Sequence, residues 1–181
     1  MPANPLKYQA GVVLVTSLIL LLLVTLIGIT SVQMTSLEEK MAGNSKDQNL
    51  AFQFAEMALR AGEAHIEAIK TGGAGIRSFC DNTPGLFKSQ TITVGGICKT
   101  QVPDPNVTST WTDDSKSVAV QTESGLIAHQ PRYFIAYTTF RAAVGSNPPT
   151  HGFTITARGS GAQGSTQVIL RSYYGGEVKF P

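Results

Sequence analysis

No proline interrupts the chain between Leu6 and Thr83, and no charged side chain falls between Gly11 and Val32. The first absence permits one long helix, because an internal proline would remove a backbone donor and clash with the preceding turn. The second leaves the run GVVLVTSLILLLLVTLIGITSV, whose only polar side chains are Thr16, Ser17, Thr25, Thr30 and Ser31. Such hydroxyls can bond back to carbonyls of the preceding helical turn. About 20 residues at ~1.5 Å each cross a ~30 Å hydrocarbon layer, and a backbone in lipid must satisfy itself as helix. Residues 12–32 therefore read as a transmembrane helix rather than a buried core helix. The run is too long for a cleaved secretory signal, and polar helix formers follow it directly.

Other absences exclude functions. The formal net charge is only +2 and no Lys/Arg cluster stands out, so a nucleic-acid surface is not expected. Gly72-Gly73-Ala74-Gly75 lacks the Lys-Ser/Thr of a phosphate-binding loop. No Cys/His spacing suggests a metal, and no polar constellation suggests catalysis. The expectation is a protein that is not an enzyme and has no cofactor. His65 reads as a packed or half-exposed side chain. His129 and His151 lie beside Pro131 and Pro148-Pro149, in expected loops. Asp113-Asp114 reads as a water-facing pair rather than a calcium site. Trp111 and the run Tyr133, Phe134, Tyr137, Phe140 read as core packing in preference to a subunit contact.

Lys7 precedes the span, and Glu38, Glu39 and Lys40 follow it, which places the N-terminus in the cytoplasm and the rest in the periplasm. The chain has two cysteines, Cys80 and Cys98. They are either two buried thiols or a disulfide, and periplasmic placement favours the bridge. It would close a loop of about nineteen residues and stabilise the fold by roughly 3 kcal/mol.

After Val32 the sequence becomes amphipathic. Met34, Leu37 and Met41 recur at helical steps, as do Leu50, Phe54, Met57, Ala61, Ala64/His65, Ala68 and Ile69. Glu56 and Arg60 are spaced for an i,i+4 pair on the other face. Thr71-Gly72-Gly73 predicts the stop. A helix over 12–70 would be about 90 Å long. Beyond it Gly, Ser and Thr increase, and strand-like runs appear at 90–94, 117–122, 132–142, 152–157 and 165–174. The glycine-rich stretch Arg158–Gly164 predicts a hairpin loop between the last two. The expected fold is α+β: a long helix laid across an antiparallel sheet of about four strands.

The leader ending in Gly11, the apolar run, Thr35-Ser36-Leu37-Glu38-Glu39-Lys40-Met41-Ala42-Gly43-Asn44, Asp47-Gln48-Asn49-Leu50-Ala51-Phe52-Gln53-Phe54-Ala55-Glu56 and Ala58-Leu59-Arg60-Ala61-Gly62-Glu63 together resemble the start of PilX-type minor pilins of type IV pili. Phe153 to Tyr174 is similar to the closing hairpin of that family, while 72–150 carries no usable resemblance. The resemblance implies a type IV pilin-like fold: a prepilin leader (1–11), the transmembrane helix (12–32), its amphipathic continuation (33–70) and a strand-rich periplasmic head (71–181). It implies cleavage by prepilin peptidase after Gly11 and N-methylation of Val12. Most pilins carry glutamate at the fifth mature position, where this chain has Thr16. The resemblance also implies a structural role in priming or capping pilus assembly near the tip, in support of twitching motility and adhesion. The implied partners are other minor pilins, the major pilin, the inner-membrane assembly platform and a large tip adhesin. The implied location is the inner membrane and, after assembly, the pilus. The competing reading is the tip pseudopilin of a type II secretion system, which usually carries a large helical insertion for which this head has little room.

Overall fold

The computed structural model describes residues 10–72, 79, 83–88, 102–122 and 129–177. Two compact units divide the chain, Met1–Ser45 and Lys46–Pro181. Helix α1, Ala10–Thr71, contributes to both.

In the first unit every side chain from Gly11 to Ser45 is exposed. Its apolar part is long and apolar enough to cross a membrane. An apolar surface exposed on all sides of a helix calls for lipid or for other apolar helices. The helix supplies its own partners for its hydroxyls. Thr16 Oγ1 donates to the Val13 carbonyl at 3.0 Å, Ser17 Oγ to Leu14 at 2.9 Å, and Thr25 Oγ1 to Leu22 at 2.8 Å. Thr30 Oγ1 and Ser31 Oγ both reach the Ile27 carbonyl, at 2.9 and 2.8 Å. These are the back-bonds expected from the sequence. They remove the desolvation cost of each hydroxyl in hydrocarbon.

The second unit is the C-terminal part of α1 and a five-stranded sheet. The strands are β1 (Leu86–Lys88), β2 (Val118–Ala119), β3 (Arg132–Arg141), β4 (Thr150–Ser160) and β5 (Gln167–Glu177), with a short helix α2 (Thr108–Thr112) before β2. The order is β1-β3-β4-β5, and β2 also pairs with β3. β3, β4 and β5 form an antiparallel meander rich in aromatic and β-branched residues, as such strands prefer. β1 runs parallel to β3, placing Leu86 beside Ile135. Among the described residues the sheet is therefore mixed and has five strands, where about four antiparallel strands were expected. β1 is too short to show a period in sequence. The run at 90–94, expected as a strand, lies outside the described residues.

The core lies between α1 and the inner face of the sheet. It contains Ala58, Ile66, Ile69, Phe79, Leu86, Tyr133, Ile135, Tyr137, Phe153, Ile155 and Ala157. The helix buries Ala51, Ala55, Ala58, Gly62, Ile66 and Ile69. This stripe is offset from the expected one. Leu50, Phe54 and Met57 are half-buried at its sides, and Ala64 and Ala68 are exposed. Close approach explains the offset. A Cβ on Gly62 would meet Ile155 Cγ2 at 2.6 Å, and one on Gly159 of β4 would meet the Ala51 carbonyl oxygen at 2.2 Å. From Ala51 to Gly62 only small residues fit along this seam, so the larger ones flank it there. The helix ends as expected at Thr71, where the Gly72 N–H donates to the Ala68 carbonyl at 2.8 Å.

Candidate assembly surfaces

The residues singled out in the sequence separate into two groups. Gly11, Val12 and Thr16 lie in the first turns of α1, all exposed. The Thr16 hydroxyl is bonded within its own helix and puts no anionic group on the surface. Cys80 and Cys98 lie outside the described residues, so their pairing is not described.

A seam of polar contacts borders the helix–sheet core. Asp47 Oδ1 accepts the Ala162 N–H at 2.7 Å, tying α1 to the β4–β5 turn. That turn closes with Gly161 N–H donating to Thr166 O at 2.9 Å and with Gly164 at φ +75°. The left-handed conformation at residue 164 favours glycine. Farther along, Ser172 Oγ donates to Glu63 at 3.4 Å and the Tyr174 hydroxyl donates to Glu67. Glu67 also pairs with Lys70 at 2.8 Å. The expected Glu56–Arg60 pair is not among the ion pairs of the described residues. Sequence reasoning missed Asp47, whose partner lies 115 residues away. It also missed the seam, although Ala51, Ala55, Ala58 and Gly62 were visible as small residues at helical spacing.

On the opposite face of the sheet, residues 102–117 fold over one end of β3. Trp111 is buried, donates Nε1–H to the Pro105 carbonyl at 2.7 Å and packs on Phe134 with ring centroids 5.6 Å apart. Arg132 holds this segment. Its Nε donates to Ser117 Oγ at 2.8 Å, and its terminal nitrogen donates to the Ser117 carbonyl at 2.6 Å and to Asp114 at 2.5 Å. Asp113 accepts from Ser115 N–H and Oγ at 2.9 and 2.6 Å, and these bonds hold its carboxyl below the usual range. Both aspartates thus have protein partners. Among the described residues no His, Cys, Asp and Glu cluster could hold a metal. Tyr133, Phe134 and Tyr137 are core residues as expected, whereas Phe140 is exposed.

Beside the 102–117 segment the outer face stays open as a cleft of about 470 Å³. Two cross-strand rows form its floor, Phe134–Thr156–Arg171 and Ala136–Thr154–Tyr173, and Val102 and Pro103 form one wall.

Two of the three histidines, His65 and His151, pack against tyrosines. The His65 Nδ1 and the Tyr133 hydroxyl share a hydrogen bond of 3.0 Å, and burial lowers the imidazole pKa. His151, expected in a loop, sits buried in β4. Its Nδ1 lies 2.9 Å from the Tyr137 hydroxyl, its ring stacks on Tyr137, and burial lowers its pKa. Burial also pushes Tyr137 up to about 12.

An apolar helix that satisfies its own hydroxyls, continuing into a stretch packed on a small sheet, defines a membrane-anchored protein of pilin-like α+β fold. Residues 10–60 match the PilX N-terminal family model, and residues 94–176 match that of the type IV pilus assembly protein PilX C-terminal region. The chain belongs to the PilX family of type IV pilus assembly proteins. The second match takes in part of 72–150, where the sequence alone offered no usable resemblance. The chain matches no curated protein and no solved structure.

Proposed function

We propose that this chain is a structural, non-enzymatic minor pilin that primes or caps a type IV pilus at or near its tip. The observation that carries the reading is Thr16. At the position where most pilins place glutamate, the chain has a hydroxyl whose hydrogen goes to its own Val13 carbonyl. A neighbouring subunit's buried terminal amine would find no countercharge there, and an unpaired buried charge is costly. Such a subunit is a poor repeating unit but fits an end position with no subunit above it.

On this reading prepilin peptidase removes residues 1–11 and Val12 becomes the N-methylated first residue. Residues 12–32 hold the chain in the inner membrane, with the head in the periplasm, until the helix leaves lipid for the filament's apolar axis. Neighbouring minor pilins, the major pilin, the assembly platform and a tip adhesin would then contact it, in support of motility and adhesion. A Cys80–Cys98 disulfide would form in that compartment. Mass spectrometry of the mature N-terminus, with and without prepilin peptidase, tests the first step. N-methylated Val12, lost without the peptidase, is expected. An unprocessed N-terminus in both strains would refute the prepilin reading.

A further inference from the structure

We propose that the outer edge of β5 is a strand-addition site for an extended segment of another polypeptide carrying an acidic side chain. β5 is the last strand of the sheet and, among the described residues, pairs only with β4. Eleven consecutive residues pair there without a register shift, from Gln167 to Glu177. Long, regular edges invite pairing, and proteins usually blunt them with bulges, prolines or several charges. β5 has no proline and no bulge against β4, and Arg171 is its only charge before the terminal Glu177.

The side chains beside this edge specify the guest. On the outer face β5 presents Ile169 (41% exposed), Arg171 and Tyr173 (77% exposed) in alternation. Arg171 has no ion pair or hydrogen bond among the described residues. An added strand would place one side chain about 5 Å from Arg171 and its i±2 neighbours beside Ile169 and Tyr173. The matching pattern is apolar-x-acidic-x-apolar. Main-chain bonds would supply affinity and the alternate side chains selectivity.

A second copy of this chain fits less well. Antiparallel pairing of two β5 edges generates a two-fold axis normal to the sheet. Paired over its whole length, β5 would set Arg171 opposite Tyr173 of the copy, so no acidic side chain would meet it. The guest is therefore a different chain. This inference does not depend on tip placement or on prepilin processing.

The test uses the full chain in detergent micelles and a labelled peptide of alternating Ser and Val with one central Glu. Companion peptides carry central Lys, or the same Glu sequence with N-methylated backbone amides. Fluorescence anisotropy should show the Glu peptide binding about fivefold tighter than the Lys peptide. Backbone methylation should abolish binding, and β5 amides should exchange more slowly when the Glu peptide is bound. Arg171→Glu, a surface change, should reverse the charge preference. Equal binding of both peptides, binding that survives N-methylation, or sedimentation showing β5-mediated dimers of the chain would overturn the proposal.

Discussion

A methyl group on Gly159 would stand 2.2 Å from the Ala51 carbonyl oxygen and 2.3 Å from the Ala55 nitrogen, both backbone atoms of α1. Backbone cannot move aside as a flexible side chain can. Gly159→Ala should therefore destabilise the head by about 3 kcal/mol, at the upper end of ordinary overpacking. Gly176→Ala, with nothing within 4 Å of its added methyl, should change stability by no more than about 0.5 kcal/mol. Urea titration of the full chain in micelles, read by Trp111 fluorescence, separates the two. The same titration at several pH values reports on half-buried His65 and buried His151. Burial lowers the pKa of His65 and His151 below the ordinary 6.5, so the unfolded chain takes up these protons first. Their contribution is complete above pH 6.5 and is lost as pH falls from there through the folded-state values. His65→Gln should flatten part of this slope. A slope unchanged by that substitution would remove His65 from the account.

The segment 102–117 is held to β3 mainly by Arg132. Two of its hydrogen bonds go to Ser117, which is itself buried and donates to the Thr110 carbonyl at 2.7 Å. The third goes to Asp114, whose side chain is 90% exposed. Solvent screens the ion pair but not the contacts to Ser117. Arg132→Ala should cost about 2 kcal/mol and loosen Trp111, whereas Asp114→Ala should cost about 0.5 kcal/mol. Equal losses would mean that the ion pair carries the attachment. This attachment was not legible in the sequence, since it joins residues 15 and 18 positions apart across a loop. The helix, its end at Thr71 and the strands β3, β4 and β5 were legible, because each repeats its pattern over ten residues or more. β1, with three residues, and α2, with five, were too short to carry a period. The buried stripe of α1 was misplaced because large side chains were assumed to mark it. In fact the nearness of Gly159 selects small ones. His151 was misplaced because β4 begins right after Pro148-Pro149.

At the scale of the whole molecule, an exposed apolar helix and a folded head must both serve the same assembly. Of the candidate residues, Thr16 was readable as a departure from the pilin pattern, and its hydroxyl bonds to its own Val13 carbonyl. Restoring the carboxylate tests it. Thr16→Glu would place a charge near the N-terminal end of the apolar run, where the insertion penalty is well below the roughly 3 kcal/mol of a mid-membrane charge. Membrane insertion should survive. Within a bundle of processed helices, however, the new carboxylate could neutralise the terminal amine of a neighbour, and the variant should be tolerated inside the shaft. Quantitative mass spectrometry of sheared pili should then find severalfold more copies of the variant than of the wild type, with membrane levels equal. Thr16→Gln, which adds a similar bulk without the charge, should leave the copy number where it is. If Thr16→Glu also stays at the wild-type number, the missing carboxylate does not confine the chain to an end position. The limit would then have to lie in the head, where the β5 edge and the outer cleft would be the surfaces to alter next.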